Sequence, residues 1–254
     1  MKRFVILAGV MVLLACIFCM TWRSVRTYVA RRTPVLSLPP FLLQLTNVQR
    51  RHSAKGLHSY VIDDSFSTSF LEYLSKAAET FPRLKDVSGF PGEKIIFTMT
   101  PSEEKQFLQQ LISIDPQFEP YNTVVLVFIG IIQRDTVVDK TIPPNPHTDD
   151  NAVGDDTVAL MSYLNTVGGG TALFEHKLNK TAAGTIQYPE SHEFSFETKD
   201  IPGNLYWRMT KRFENKKNRT ILFDSTHLHS GFFDLTAWPE SVFERRTFNV
   251  FLKR

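Results

Sequence analysis

From Asn122 to the C-terminus the chain is a succession of short apolar, β-branched and aromatic runs, and their spacing constrains the fold more than any other feature. The runs fall at 124–133, 157–164, 171–174, 193–197, 220–223 and 245–252, each bounded by polar, glycine or proline breaks. Lengths of four to ten residues, rich in Val, Ile, Thr and Phe, suit strands rather than amphipathic helices. Strands at this spacing predict a mainly β domain of the double-sheet jelly-roll type, a double-stranded β-helix. The 21 phenylalanines supply the bulky side chains that such a core uses.

Two helical patterns precede the strands. Ser59–Phe66 reads as an opening strand, after which Ser67 caps a pattern through Phe70, Leu71, Leu74 and Ala77. Pro101-Ser102-Glu103-Glu104 opens a second helix running to about Ile114, with its acidic residues where the helix dipole favours them. Residues 199–218 hold Tyr206, Trp207 and the basic cluster Lys211, Arg212, Lys216 and Lys217, which reads as a solvated loop or, functionally, as a substrate-facing surface.

Phe4–Trp22 is a nearly continuous apolar run flanked by Lys2-Arg3 and by Arg23, Arg26, Arg31 and Arg32, with the length of a bilayer-spanning helix. No A-x-A cleavage site follows it, so an uncleaved signal anchor is expected rather than a cleaved signal peptide. Residues 31–56 contain TPVLSLPP and little periodicity, and read as a stalk. The expected organisation is therefore an N-terminal tip and transmembrane anchor at 1–30, a linker at 31–56 and a folded domain at 57–254. The sequons at Asn179 and Asn218 fit a domain on the lumenal side of the endoplasmic reticulum or Golgi, whereas the positive-inside rule, with more arginine after the run than before it, favours the cytosol. A single-pass protein with a lumenal domain is the expectation. Both cysteines, Cys16 and Cys19, lie inside the apolar run, so the folded domain has no internal disulfide. A net charge of +3 gives no footprint for nucleic acid.

The chemistry gathers between Pro146 and Phe174. His147 and Asp149 are two residues apart, so on an extended chain both side chains leave the same side and can reach one ion. A second histidine would complete the two-histidine, one-carboxylate face that holds non-haem Fe(II) with open coordination positions. His227 and His229 are the candidates. Arg245 and Arg246 then open the last strand, and a guanidinium is the side chain best suited to clamp a carboxylate. Taken singly, each piece has a plainer reading: a chance H-x-D, a polar strand end, a charged edge strand, a hairpin turn. Their order and their strand-like contexts carry the argument.

That order resembles the Fe(II)/2-oxoglutarate-dependent dioxygenases, and within them the prolyl 4-hydroxylase-like branch. Tyr163-Leu164-Asn165 matches the family's tyrosine before L-N, Gly168-Gly169-Gly170-Thr171 its G-G-x-T turn, and Leu228-His229-Ser230-Gly231 its distal histidine. The resemblance spans roughly 58–254 and implies iron ligands His147, Asp149 and His229. It implies 2-oxoglutarate held by Arg245 with help from Tyr163, Arg246 being the alternate, and O₂ as second co-substrate, with ascorbate as an accessory reductant. The implied activity is hydroxylation of a protein or peptide side chain, proline first, with release of succinate and CO₂. Two departures stand out: an insertion at 234–243 ahead of the arginines, and no tyrosine just upstream of His147. The rival readings are a membrane-anchored jelly-roll binding module without turnover and a cupin-type metalloenzyme that uses no 2-oxoglutarate.

Overall fold

The computed structural model describes residues 36–39, 41, 43–52, 58–85, 92–138, 149, 157–176, 207–225 and 227–254. The apolar run Phe4–Trp22, His147, the expected strand at 193–197 and the sequon at Asn179 lie outside the described residues. Among the described residues no helix is long and apolar enough to cross a membrane.

In chain order the elements are β1 (Leu36–Ser37), β2 (Val48–His52), β3 (His58–Ile62), α1 (Thr68–Thr80), β4 (Leu84–Lys85), β5 (Glu93–Thr98), α2 (Pro101–Ile114), β6 (Thr123–Gln133), α3 (Arg134–Val138), β7 (Thr157–Tyr163), β8 (Gly169–His176), β9 (Trp207–Glu214), β10 (Thr220–Asp224), β11 (His229–Phe233) and β12 (Glu244–Lys253). The larger sheet runs β1-β5-β6-β12-β7-β10-β3-β2, with β4 beside β5, and the smaller runs β11-β8-β9. From β7 onward the chain passes from the large sheet to the small, stays there for β9, returns at β10, crosses again at β11 and ends on the large sheet. That winding is the one expected of a double-stranded β-helix.

Period-two alternation sets the two faces of the large sheet. Tyr163 faces Thr247, Ala159 faces Phe251 and Phe223, and Val61 faces Ile221, so these side chains share the inner face. There they meet Leu173 and Phe213 of the small sheet in one buried cluster with Phe128. The outer face is covered by helices. Ser67 caps α1 by accepting from the Phe70 N–H, and Thr100 with Glu103 forms a capping box at α2. Phe70 of α1 and Phe248 of β12 join Phe66 and Phe41 in an aromatic cluster, with Phe41 stacked on Phe70 at 4.7 Å.

Three stretches differ from the sequence expectation. Part of the expected stalk is structural: β2 pairs along β3, and Leu38, Phe41 and Leu43 are buried, so the folded unit reaches back to Ser37. Part of the expected basic loop is a strand, β9, paired with β8. Asn218, the second sequon, has φ 64°, and its carboxamide both donates to the Phe66 carbonyl and accepts from the Phe66 N–H, each at 2.9 Å. A glycan on that nitrogen would break the donor half of this pair.

Candidate active site

The candidate residues are carried by β7, β11 and β12 and by Asp149, which lies beside the end of β10. Asp149 is held there by its backbone, whose N–H donates to the Ser225 carbonyl at 2.9 Å. Ser225 is itself tied to Thr157 through its N–H and its hydroxyl, which fixes the end of β10 against the start of β7. Across from Asp149, at the start of β11, His229 Nε2 lies 3.2 Å from Asp149 Oδ2. The other ring nitrogen, Nδ1, is 2.8 Å from the His227 carbonyl, which accepts its proton. That contact fixes the tautomer and turns the Nε2 lone pair toward Asp149, the arrangement a metal-binding imidazole needs. Burial works against charging the His229 ring, but the Asp149 carboxylate and the His227 carbonyl outweigh it and raise its pKa above the ordinary imidazole value.

His227 is buried too, and its Nε2 has no hydrogen-bond partner among the described residues. Burial, followed by the neighbouring His229 and Lys211, lowers its pKa to about 4. Of the two candidate histidines, His229 is the one set against Asp149. Among the described residues no three His, Cys, Asp or Glu side chains gather as a metal cluster, and His147, two residues before Asp149, is not one of those residues.

The second half of the site is built on β12. Arg245 points inward and is 3% exposed, and it forms no ion pair among the described residues. Its guanidinium lies 5.4 Å from the centres of both the Tyr163 and Phe233 rings, and one terminal nitrogen donates weakly to Thr171 Oγ1 at 3.4 Å. Its Nε has no hydrogen-bond partner among the described residues. Desolvation pushes the Arg245 pKa down, with the Tyr163 hydroxyl pulling the other way. Tyr163 donates its O–H to Thr171 Oγ1 at 2.9 Å, and burial raises its pKa despite Arg245 nearby. Arg246 points outward and pairs with Glu244 at 2.9 Å and Glu79 at 3.2 Å. The alternation of the strand therefore assigns the two arginines to opposite faces.

Two residues escaped the sequence reading as parts of this site. Gly231 sits under the Arg245 guanidinium, where a Cβ would meet Nη1 at 2.9 Å. Phe233 walls the same pocket and is backed by Trp238 at 5.9 Å. Trp238 belongs to the 234–243 insertion, which is tightly turned: the Asp234 carboxylate accepts from Thr236 and Ala237, and Trp238 Nε1 donates to the Val242 carbonyl at 2.6 Å. A glycine two residues after a histidine at a strand start was the available signal, since Gly in a strand often marks a close approach.

A family model described as "Family of unknown function (DUF6445)" matches residues 44–252. No curated protein matches the chain. Among solved structures, the chain is similar to the non-heme alpha-ketoglutarate-dependent epimerase SnoN from nogalamycin biosynthesis, at 12% identity over 77% of this chain and 78% of that one, with a TM-score of 0.47. It is also similar to a prolyl-4-hydroxylase from Pseudomonas putida, at 13% identity over 77% and 92% of the two chains, with a TM-score of 0.41. A third is HygX from Streptomyces hygroscopicus, with nickel, 2-oxoglutarate and hygromycin B bound, at 12% identity over 77% and 82%, with a TM-score of 0.46. Likeness at this distance leaves reaction and substrate to the residues themselves.

Proposed function

The chain belongs to DUF6445, a family of unknown function, and from the side chains its fold gathers we propose that it is a non-haem Fe(II)/2-oxoglutarate-dependent oxygenase. The observation that carries this reading is Arg245. An inward-facing guanidinium with no carboxylate beside it among the described residues is costly unless a ligand supplies the anion. The pocket around it is shaped for one carboxylate: a guanidinium fork, the Tyr163–Thr171 hydroxyl pair and an aromatic wall.

The donor set beside it fits a divalent metal in part. Asp149 and His229 face each other at a distance one ion can bridge, and the His229 tautomer is already set by the His227 carbonyl. His147 is the residue that would complete the face. Fe(II) held there would supply the oxidative chemistry, coupling decarboxylation of 2-oxoglutarate to oxidation of a C–H bond. This chain's own residues do the rest. Arg245 and Tyr163 bind and orient the far carboxylate, Gly231 leaves room for the guanidinium, and Phe233 with Trp238 excludes water from the clamp. The resemblance alone names a prolyl residue of a protein as the first substrate to try, and the apolar run Phe4–Trp22 alone carries the placement of the domain on a membrane.

The test is an anaerobic titration of the chain with Fe(II) and 2-oxoglutarate, following the weak visible absorption that a 2-keto acid gives on a ferrous centre, and then succinate release in air. The band and succinate are expected for the unaltered chain and absent in His229→Ala. A folded, iron-loaded chain that gives neither overturns the proposal.

A further inference from the structure

β12 carries two arginines side by side, and only the pleat tells them apart. A slip of one residue would exchange faces, turning Arg246 inward, away from Glu79, and Arg245 outward. The buried residues from Thr247 to Leu252 set the register of the strand, but the two arginines themselves offer the same group, so which of them enters the pocket depends on how the strand's first residues are held. The backbone must therefore be fixed at this point with unusual care.

The ladder to β7 gives out just here. Its last register pair is Thr247 with Tyr163, after which the Leu164 N–H donates to the Arg246 carbonyl at 3.0 Å. The chain then turns away through Asn165. Its side chain takes over: Asn165 Nδ2 donates to the Glu244 carbonyl at 2.7 Å, and Oδ1 accepts from the Arg246 N–H at 3.0 Å. The two bonds also fix which way the carboxamide lies, since a carbonyl needs a donor and an N–H an acceptor. They fall on the peptide groups on either side of Arg245. On the opposite edge β6 holds the same residues by Gln133 with Glu244 and Ile132 with Arg245.

We propose that Asn165 is the positioning residue of the co-substrate clamp, its carboxamide bracketing Arg245 so that this guanidinium, and not that of Arg246, faces the far carboxylate. The proposal rests on the oxygenase reading above. It makes Tyr163-Leu164-Asn165 a single device, since Tyr163 contributes its ring and hydroxyl to the clamp while Asn165, two residues on, holds the backbone of its partner. Asn165 touches no co-substrate in this role; it acts through Arg245.

The experiment compares two keto acids on the full-length chain loaded with Fe(II) under argon: 2-oxoglutarate, which has the far carboxylate, and 2-oxobutanoate, which lacks it. Dissociation constants are measured for the unaltered chain, Asn165→Ala and Asn165→Asp, with thermal unfolding recorded alongside. Asn165→Ala is expected to weaken 2-oxoglutarate about tenfold, the usual scale for removing a residue that orients a binding group, and to leave 2-oxobutanoate within about twofold. Asn165→Asp keeps the size and the acceptor for Arg246 but sets a carboxylate oxygen against the Glu244 carbonyl; it should show the same selective loss, and it serves if the alanine variant does not fold. Equal weakening of both acids means a merely structural role and overturns the proposal, as does 2-oxoglutarate affinity within twofold of the unaltered chain in either folded variant. An unaltered chain that binds neither acid overturns the oxygenase reading itself, an outcome distinct from the other two.

Discussion

A guanidinium buried without an anion raises the free energy of the ligand-free fold, and none of the described residues supplies an anion to the buried Arg245. Arg245→Met, which keeps the length and removes the charge, should therefore abolish 2-oxoglutarate binding while raising the unfolding midpoint of the ligand-free chain by about 2–4 °C, roughly 1 kcal/mol for a domain of this size. Calorimetry with and without 2-oxoglutarate checks it; a midpoint that falls would mean that the contacts to Tyr163 and Phe233 already compensate the charge. The two histidines make a second prediction, on pH. His227 titrates at about 4 in the fold against an ordinary 6.5, so below pH 6.5 the unfolded chain takes a proton that the fold refuses, and stability falls until about pH 4. Across those roughly 2.5 units the loss is about 3 kcal/mol, and His227→Leu should flatten that limb in urea melts. His229 has the opposite sign: its pKa is raised, so its contribution is present below about 6.5 and is lost as pH rises through the folded value. The metal-free chain should be most stable near pH 6.5, and loading with Fe(II) should remove the alkaline decline, because Nε2 is then no longer open to a proton. Much at this scale was legible in the sequence. The alternation of Arg245 and Arg246 follows from any strand, but which of the two faced inward did not, since it depends on a register set by Asn165 and the ends of β6 and β7.

Strands with an apolar face or a continuous apolar run were readable as elements: β6, β7, β10 and β12 fall within a residue or two of the runs expected for them, and both capped helices start where Ser67 and Thr100 dictate. β9 was not, because WRMTKRFE carries basic residues on both faces. Phe213 and Lys211 share the side of the strand that faces the large sheet, where Lys211 Nζ donates to Ser59 Oγ at 2.9 Å, while Arg212 and Glu214 pair with each other in solvent at 2.8 Å. A lysine pointing inward hides the period-two pattern on which strand recognition depends. β11 was missed because it is short and contains Gly231. The turn that carries the chain from β7 in the large sheet to β8 in the small one shows how closely the elements fit. Gly169 has φ 109°, and a Cβ there would meet the Phe232 carbonyl at 2.1 Å, while one on Gly168 would meet the Asp234 carbonyl at 1.9 Å. Gly168→Ala should push the 234–243 insertion away from the β7–β8 turn, costing about 1–3 kcal/mol and loosening the Phe233–Trp238 wall behind Arg245. Chemical denaturation and 2-oxoglutarate affinity measured together would check this, and a variant with unchanged affinity would show that the insertion does not support the clamp.

At the scale of the whole molecule, the boundary of the folded unit decides whether the site can be studied in isolation. A domain cut at residue 57, where the sequence placed its start, would lose β2 and expose the edge of β3 to other chains. It would also lose Phe41, which stacks on Phe70 at 4.7 Å and packs within 6 Å of Phe66, Phe107 and Phe248. Deleting an aromatic side chain from such a cluster costs about 3–5 kcal/mol, a large part of a typical domain's stability. The missing signal was one of distance. TPVLSLPP reads as a linker because its prolines break local periodicity, whereas Phe41 is buried through contacts with residues 25 to 207 positions away in the chain, which no local pattern reports. Phe248 lies on the outer face of β12, three residues past Arg245, so the cluster that Phe41 completes also supports the strand bearing the clamp. A fragment starting at Ser37 should therefore unfold cooperatively and bind 2-oxoglutarate, while one starting at Leu57 should aggregate or bind it weakly. Equal stability and affinity in the two fragments, by denaturant melts and titration, would show that residues 37–56 only decorate the fold, and that the large sheet ends at β3 as far as the site is concerned.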